Sequence, residues 1–222
     1  MASPPLSPTV THTLEAHGIL GSLTWAILFP LGAIILRLIN SPKAWLIHAA
    51  IMSFSLIVFA VNVGTGLWVV MDSWGTKVGD LNRDLGIGNA HTILGLATFA
   101  FAGLQPFLGL IHHFMQKGSG WLTKKTFIGA AHVYIGRLLI LLGIINGGIG
   151  LLWGRTSSRA QNIAYGVVCA VVWVVYILMS LGYEVRRENR SVETAKGLVE
   201  RSWAGSGSLD SSPTEGEGKF KV

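Results

Sequence analysis

The sequence is poor in charge, and above all in acidic charge. Only 13% of its 222 residues are charged, and between Glu15 and Glu184 the carboxylates are limited to Asp72, Asp80 and Asp84. A soluble domain of this size needs more charge to cover its surface with polar groups. Half of the residues are hydrophobic, and the mean hydropathy is +0.53. These values predict an integral membrane protein.

Cysteine is nearly absent as well. Cys169 is the single cysteine, which excludes an intrachain disulfide, and the C-x-x-C-H motif for covalent cofactor attachment is missing. Residues 1–18 contain no Lys or Arg, so the basic region of a signal peptide is missing and the first apolar stretch is interpreted as a retained helix. The net charge of +6 lies in loops and a tail, which argues against a nucleic-acid partner.

Five apolar stretches reach the length of about 20 residues that crosses a hydrocarbon core about 30 Å thick. They cover residues 17–39, 44–70, 89–111, 127–153 and 161–183. Their short connections suit antiparallel neighbours. The predicted fold is an all-α membrane bundle of five transmembrane helices, the first four running up-down-up-down. The predicted parts are a short extracytoplasmic tail (1–14), the membrane domain (15–183) and a polar, largely disordered tail (184–222).

Basic residues divide unevenly between the two sets of loops. Ten lie on one side: Arg37, Lys43, Lys117, Lys124, Lys125, Arg186, Arg187, Arg190, Lys196 and Arg201. Four lie on the other side: Lys77, Arg83, Arg155 and Arg159. The positive-inside rule makes the side with ten basic residues cytoplasmic. The N-terminus is then predicted to be extracytoplasmic and the C-terminus cytoplasmic.

Four histidines mark the beginnings of the first four apolar stretches: His17, His48, His91 and His132. One such histidine is usually an interfacial residue, but ionisable residues inside spans are rare and usually functional, so four in register predict a site. Helices one and three enter from the same side, as do helices two and four. In an up-down-up-down bundle, His17 is therefore expected to face His91 near the outer leaflet, and His48 to face His132 near the inner leaflet.

Two facing imidazoles in an apolar bundle suit a haem iron. Zinc normally takes four ligands, and no Cys, Asp or Glu accompanies these pairs. A haem needs only two axial ligands from the protein, and with both supplied by histidine the predicted chemistry is one-electron transfer. Two haems, one per leaflet, would divide the crossing of about 30 Å into shorter hops. Gly18, Gly21, Gly95 and Gly136 would leave room for a ring, although ordinary small-residue helix packing explains them equally well.

The sequence around these histidines resembles the cytochrome b561 family. The similar segments read AHGIL, LIHAAIM, NAHTILGL and AHVYIGRLLILLGIINGGIGL, and the resemblance covers about residues 15–183, closest to the fungal branch of the family. It implies two non-covalent haem b groups, held by His17–His91 and His48–His132, and electron transfer across the bilayer. That branch is often joined to a DOMON-type domain, which would here be a separate extracytoplasmic redox partner. The electron acceptor, the direction of transfer and a homodimer are left open.

Three basic residues are further candidates for the site. Arg37 and Lys43 resemble the basic residues that flank the cytoplasmic haem in ascorbate-using members, which implies an anionic donor such as ascorbate; ordinary loop charges are the alternative. Arg137 lies about 16 Å along helix four, near mid-membrane, where an arginine is unfavourable. It is predicted to face the bundle and pair with a haem propionate, Asn146 or Gln105, with snorkelling toward water as the alternative.

Two other functional classes are open at this point. A haem-free transporter or channel could use the histidines as a proton relay, but it would lack the membrane carboxylates that such relays commonly use. A membrane anchor that has lost a redox role is the other alternative. An absorption spectrum of the purified protein, oxidised and reduced, would distinguish a haem protein from these two alternatives.

Overall fold

The computed structural model describes residues 7–39, 41–75, 89–118, 126–154 and 157–207. Within these ranges the regular structure is helical, without a strand, so the predicted all-α class is confirmed. Five helices are long and apolar enough to cross a membrane. We number them spans 1 to 5: Pro8–Leu38, Ala44–Met71, Ala90–Met115, Phe127–Gly154 and Arg159–Trp203. The chain is an integral, multi-pass membrane protein.

Span 1 consists of α1 (Pro8–Leu23), a π-helical turn (Thr24–Leu28) and α2 (Phe29–Leu38). The other helices are α3 (Ala44–Gly75), α4 (Ala90–Gly118), α5 (Phe127–Gly154) and α6 (Arg159–Gly207). Span 1 begins nine residues earlier than the hydropathy pattern indicates, and α6 continues well beyond residue 183. Both extensions are polar, so hydropathy alone did not include them.

Capping side chains fix where four of the spans begin. The oxygens of Ser7, Asn89 and Thr126 each accept the backbone N–H three residues further on, at 3.3, 2.8 and 3.1 Å. At span 5, Ser158 and Gln161 each accept the other's backbone N–H, at 3.2 and 2.7 Å. Such caps satisfy N–H groups that have no partner within the helix.

The π-helical turn interrupts span 1 in its middle. The Phe29 N–H bonds the Thr24 carbonyl, five residues back, so the turn holds one residue more than an α turn. Pro30 follows directly and cannot donate to the carbonyl of Ala26, which favours a local departure from α geometry. Thr24 and Ala26 are buried, so this turn faces the bundle interior.

Spans 1 to 4 form a ring of neighbouring helices. Spans 1 and 3 each pack against spans 2 and 4, which leaves spans 1 and 3 on one diagonal and spans 2 and 4 on the other. Hydrogen bonds join the beginning of one span to the later part of its neighbour: His17 to Asn62, and His48 to Gly32. Spans 1 and 2 are therefore antiparallel, and so are spans 3 and 4, where His91 at the beginning of span 3 bonds Asn146 in the later part of span 4.

An aromatic core fills the middle of the bundle. Trp25 packs against Phe29 and Phe59 with ring centroids 4.7 and 4.9 Å apart, and Phe59 lies 5.5 Å from Phe99. The indole of Trp25 occupies the space that a side chain at Gly143 would need. The histidines lie toward the two ends of the bundle, and the aromatic core lies between them.

The chain divides into two compact units, Met1–Ile177 and Leu178–Val222. The first unit holds spans 1 to 4 and the first part of span 5, where the Tyr165 hydroxyl donates to the Ile144 carbonyl at 2.8 Å. The second unit is helical as far as Gly207, and Arg186 in it bonds the Gly182 carbonyl at 3.2 Å.

Candidate functional site

The structure brings the four histidines together in two pairs. The rings of His17 and His91 have centroids 5.9 Å apart and planes at 86°, and we call this pair site 1. The rings of His48 and His132 have centroids 6.3 Å apart and planes at 84°, and we call this pair site 2. Each site takes one histidine from each of two diagonal spans.

The separation of the rings leaves room for one metal ion in each site. An imidazole nitrogen lies about 1.1 Å from its ring centre and binds a transition metal at about 2.0 Å, so two axial imidazoles on one ion place their ring centres about 6 Å apart. The observed 5.9 and 6.3 Å agree with that value. The separation of the ring centres is therefore compatible with one metal ion between the two histidines of each pair.

The two sites lie at opposite ends of the bundle. His132 of site 2 precedes Asn146, the residue bonded by His91 of site 1, by fourteen positions on span 4. At about 1.5 Å per residue this is about 21 Å along the helix axis. Two centres at this spacing cover most of a hydrocarbon core about 30 Å thick.

Three of the histidines are held by backbone carbonyls of a neighbouring span. Nδ1 lies 2.8 Å from the Asn62 carbonyl in His17, 2.7 Å from the Gly32 carbonyl in His48, and 3.0 Å from the Asn146 carbonyl in His91. A carbonyl can only accept, so Nδ1 carries the proton in each case. The other nitrogen, Nε2, keeps its lone pair and is the one available to a metal.

His132 is held more loosely than the other three. Its backbone neighbour on span 3 is Gln105, yet within the described ranges its buried Nδ1 makes no well-aligned hydrogen bond. The ring nevertheless lies against span 3, because an ideal Cβ on Gly109 would be 3.1 Å from its Cε1. Site 2 thus has one firmly bonded and one loosely bonded imidazole.

Glycines on the facing helices let the imidazole rings approach closely. An ideal Cβ on Gly66 would lie 2.8 Å from Cε1 of His17, and one on Gly150 would meet the ring of His91. Real Cβ atoms essentially never come within 3.0 Å of such an atom. A side chain at either position would therefore displace a site-1 histidine.

A cavity surrounds the site-1 histidines. It holds about 1160 Å³ of empty space, part of which is open to the surroundings. Its lining combines His17 and His91 with apolar residues, several glycines, and the amides of Asn62 and Asn146. A flat, largely apolar macrocycle with two axial ligands fits this lining.

The ligand set argues against a zinc centre. The parts of the chain that the structure describes contain no group of three or more His, Cys, Asp and Glu side chains placed to hold a metal. Zinc sites normally draw three or four ligands from the protein. A metal whose remaining ligands come from its own macrocycle needs only the two histidines found in each site.

The basic candidates lie near the same end of the bundle as site 2 or along span 4. Arg37, at the end of span 1, donates to the Ala33 carbonyl at 2.5 Å and places its guanidinium carbon 5.2 Å from the Tyr176 ring centre. Lys43 is exposed just before span 2. Arg137 is half-buried, with its guanidinium carbon 5.8 Å from the ring centre of Tyr134.

The sequence did not predict that Asn62, Asn146 and Gln105 lie against the histidines of sites 1 and 2. Asn146 and Gln105 were predicted only as hydrogen-bond partners of Arg137. Their backbone carbonyls are common to every residue, so no residue-type signal marks that role. For Asn62 and Asn146, the signal that could have found them is a repeated segment, NVGTGL at 62–67 and NGGIGL at 146–151.

Part of the topology prediction lies outside the described residues. This applies to the N-terminal residues 1–6, to the tail after residue 207, and to the loop cations Lys77, Arg83, Lys124, Lys125 and Arg155. Asp80 and Asp84 of the longest loop lie outside them as well. The predicted orientation of the termini therefore stays a prediction.

Fold and site together define an all-α, multi-pass membrane protein with two pairs of facing histidines. No protein-family model matches the sequence, and no solved structure matches it. The chain is similar to a cytochrome b561 and DOMON domain-containing protein of Arabidopsis thaliana, at 27% identity over 187 residues, 81% of this chain and 43% of the relative. A second protein of that description and organism is 27% identical over 135 residues, 60% of this chain and 30% of the relative.

A cytochrome b561 domain-containing protein of the same plant is 23% identical over 162 residues, 72% of this chain and 59% of the relative. The chain therefore spans between 30% and 59% of the length of these three relatives. Their names support the resemblance to the cytochrome b561 family that the histidine segments indicate.

Proposed function

We propose that this chain is a cytochrome b561-type protein that binds two haem b groups and passes single electrons between the cytoplasmic and extracytoplasmic faces. The observation that carries the proposal is the placement of two histidine pairs, at separations suited to one metal each, near opposite ends of the bundle. The names of the relatives support haem b as the group. When bound, haem b supplies a one-electron change between Fe(III) and Fe(II).

In this proposal the four histidines would supply the protein ligands of the two haems. His17 and His91 bind at site 1, and His48 and His132 bind at site 2. For His17, His48 and His91 the backbone carbonyls fix the Nδ1 proton and the ring orientation, so that Nε2 would be free to bind the metal without a change of tautomer. With two histidines bound to each iron, the haems would be suited to electron transfer rather than to binding of oxygen.

The aromatic core supports electron transfer over the alternative of a haem-free transporter with a histidine proton relay. Trp25, Phe29 and Phe59 fill the interior between the two sites. A proton relay needs polar groups or water along its whole path, whereas electrons can cross an apolar layer. Within the described spans the histidine pairs have no carboxylate beside them, although relays commonly use one.

Site 2 is proposed to face the cytoplasm and to receive electrons from an anionic donor. Arg37 and Lys43 lie at that end, and the buried Nε of Arg37 makes no hydrogen bond within the described residues, so an anion could accept it. Ascorbate is one candidate donor. Site 1 would then pass electrons to an acceptor outside, such as a DOMON-type domain of the kind joined to fungal-branch members.

Arg137 is proposed to interact with a haem propionate or with the amide of Gln105 or Asn146. Gln105 lies close by, since an ideal Cβ on Gly136 would be 3.5 Å from its Oε1. The substitution Arg137→Leu is expected to change the redox potential of one haem. Unchanged spectra and potentials for both haems would rule this role out.

The deciding experiment is the absorption spectrum of the haem-supplied, purified chain before and after dithionite. Two low-spin haems b per chain are expected, with a Soret band that shifts on reduction. A folded preparation without a Soret band would exclude the proposal. In that case proton flux through reconstituted vesicles becomes the measurement that tests the transporter alternative.

A further inference from the structure

Spans 1 and 2 are repeated in spans 3 and 4. Residues 16–26 read AHGILGSLTWA and residues 90–100 read AHTILGLATFA, identical at seven of eleven positions with an offset of 74 residues. Residues 62–67 and 146–151 are identical at four of six positions with an offset of 84, and the same offset relates His48 to His132. Equivalent residues therefore lie at equivalent depths in the two halves.

The repeat contains a reciprocal contact between two facing helices. On one helix a histidine precedes a glycine by four residues, and on the other an amide residue precedes a glycine by four. The histidine ring lies against the glycine that follows the amide residue, and the amide side chain lies against the glycine that follows the histidine. Three such contacts occur: His17 and Gly21 with Asn62 and Gly66, His91 and Gly95 with Asn146 and Gly150, and His132 and Gly136 with Gln105 and Gly109.

The fourth contact, at His48, is reversed. Its acceptor is the carbonyl of Gly32, and the larger side chain is on the histidine's own helix: an ideal Cβ on Gly32 would lie 3.1 Å from Sδ of Met52. The offset from Gly32 to its counterpart Gln105 is 73 residues, one fewer than the offset from His17 to His91. The extra residue of the π-helical turn accounts for this difference and keeps Gly32 facing His48.

Two of the amides are buried and have no well-aligned partner for their side-chain oxygen. Asn62 and Asn146 are only 5% and 7% exposed, and both line the site-1 cavity. Within the described part of the chain, the Asn62 Oδ1 accepts no hydrogen bond, and the Asn146 Oδ1 makes no well-aligned one although the Asn146 amide lies within reach of the His91 ring. An unpaired buried polar atom is unfavourable. An apolar side chain of similar size would therefore be expected at each position unless the amide itself has a role.

We propose that Asn62 and Asn146 are positioning residues for the site-1 haem, an inference that rests on the proposed function. Each carbonyl accepts the Nδ1–H of its histidine, while the amide side chain spaces its helix from the glycine of the histidine's helix. An ideal Cβ on Gly21 would lie 3.3 Å from Nδ2 of Asn62, which shows how close this spacing is. Together the two contacts set the length of the Nδ1–H···O bond and the angle of the ring.

The length of that hydrogen bond acts on the metal. A strong Nδ1–H···O bond makes the imidazole a better electron donor and so favours Fe(III). Loss of the amide side chain leaves the carbonyl in place but removes the contact that fixes its distance and angle to the histidine, so the bond is expected to lose its alignment and weaken. The midpoint potential of the site-1 haem should then rise.

A redox titration of the full-length haem protein, followed by absorption, tests this inference. The substitutions Asn62→Ala and Asn146→Ala are expected to raise the potential of the component that His17→Ala removes, and to leave the other component unchanged. Asn62→Gln is expected to raise the same component as well, because His132, which faces Gln105 in the equivalent place at site 2, makes no well-aligned Nδ1 hydrogen bond within the described ranges. The matched control is Ser55→Ala, which alters a buried polar residue of the same span that bonds the Ile51 carbonyl.

Each outcome decides between the alternatives. Selective loss of the site-1 haem from the alanine variants, through an affinity reduced about 10- to 100-fold, also supports the inference. An equal shift in both components, a shift of the site-2 component alone, or no shift would overturn it. If the alanine variants do not fold, Gly21→Ala must produce the same selective shift by displacing the Asn62 amide. A wild-type protein without two low-spin haems overturns the proposed function instead, so the two failures are distinct.

Discussion

Each candidate ligand is held by a helix other than its own. At the scale of single residues, this means that the backbone of the facing span determines which nitrogen of His17, His48 and His91 is protonated. The side chain of a ligand therefore needs no carboxylate beside it. This is why four histidines can lie in an almost uncharged bundle without acidic partners.

Replacing one histidine is expected to remove one haem and leave the other. His17→Ala or His91→Ala should abolish the site-1 haem, and His48→Ala or His132→Ala the site-2 haem, because the two sites share no ligand. Haem per chain, measured by pyridine haemochrome, should fall from two to one in each variant. The pairing would be wrong if His17→Ala and His91→Ala affected different spectral components.

A single methyl group at Gly66 is expected to disturb site 1. In Gly66→Ala the new Cβ would lie 2.8 Å from Cε1 of His17, so the ring must move. We expect haem affinity at site 1 to fall about 10- to 100-fold, as is usual when support of a metal ligand is lost. Haem retention during dialysis against apomyoglobin measures this.

Gly64→Ala is the matched control for that substitution. Gly64 lies on the same span, two residues earlier, and an ideal Cβ there meets nothing within 4 Å. Its haem retention should equal that of the wild type. If both alanine variants lost haem equally, general helix destabilisation rather than the ring contact would be the cause.

At the scale of elements, the π-helical turn distinguishes span 1 from span 3. Fifteen positions separate His17 from Gly32, but fourteen separate His91 from Gln105. Because the turn absorbs the additional residue, both spans present a carbonyl to the histidine of the neighbouring helix. The turn therefore maintains a register rather than creating a hinge.

Deleting Ile27 from the π-helical turn is expected to leave both haems bound. The deletion restores an α turn and gives span 1 the spacing already found in span 3. Deleting Phe101, the counterpart of Ile27 in span 3, removes a residue from a regular helix. That rotates Gln105 and Gly109 by about 100° relative to His91, so the site-2 haem should be lost. Both deleted residues are exposed, at 45% and 52%, which makes the pair well matched. Equal haem loss from the two deletions would contradict this account of the turn.

Hydropathy and spacing predicted much of this fold, and the reasons for the remainder are physical. The spans follow from apolar length, and the histidines are conspicuous because ionisable residues are unfavourable in lipid. The π-helical turn was not predicted, since one additional apolar residue leaves the hydropathy of span 1 unchanged. Asn62 and Asn146 were not predicted as supports of the histidines. Their backbone carbonyls accept the histidine Nδ1–H, and a backbone carbonyl carries no residue-specific signal.

At the scale of the whole molecule, the apolar aromatic core separates the two sites while the bundle connects the two faces of the membrane. We expect vesicles containing the haem-loaded protein to transfer electrons from an internal reductant to an external, impermeant oxidant. Because both sites are needed to cover the distance, His17→Ala and His48→Ala should each reduce the rate to that of protein-free vesicles. Ser55→Ala should transfer electrons at the wild-type rate. Undiminished transfer by either histidine variant would mean that one site suffices.

The repeat also bears on how such a protein could be assembled. Each half of the bundle contributes one ligand to site 1 and one to site 2, so neither half contains a complete site. Two identical two-helix chains, related by a two-fold axis along the membrane normal, would complete both sites on that axis. The connection between spans 2 and 3 is thus not required by the geometry of the sites. Its effect is to keep two halves of different sequence together. The halves can then carry different residues at equivalent positions, as they do at Gly32 and Gln105, and still pair with each other.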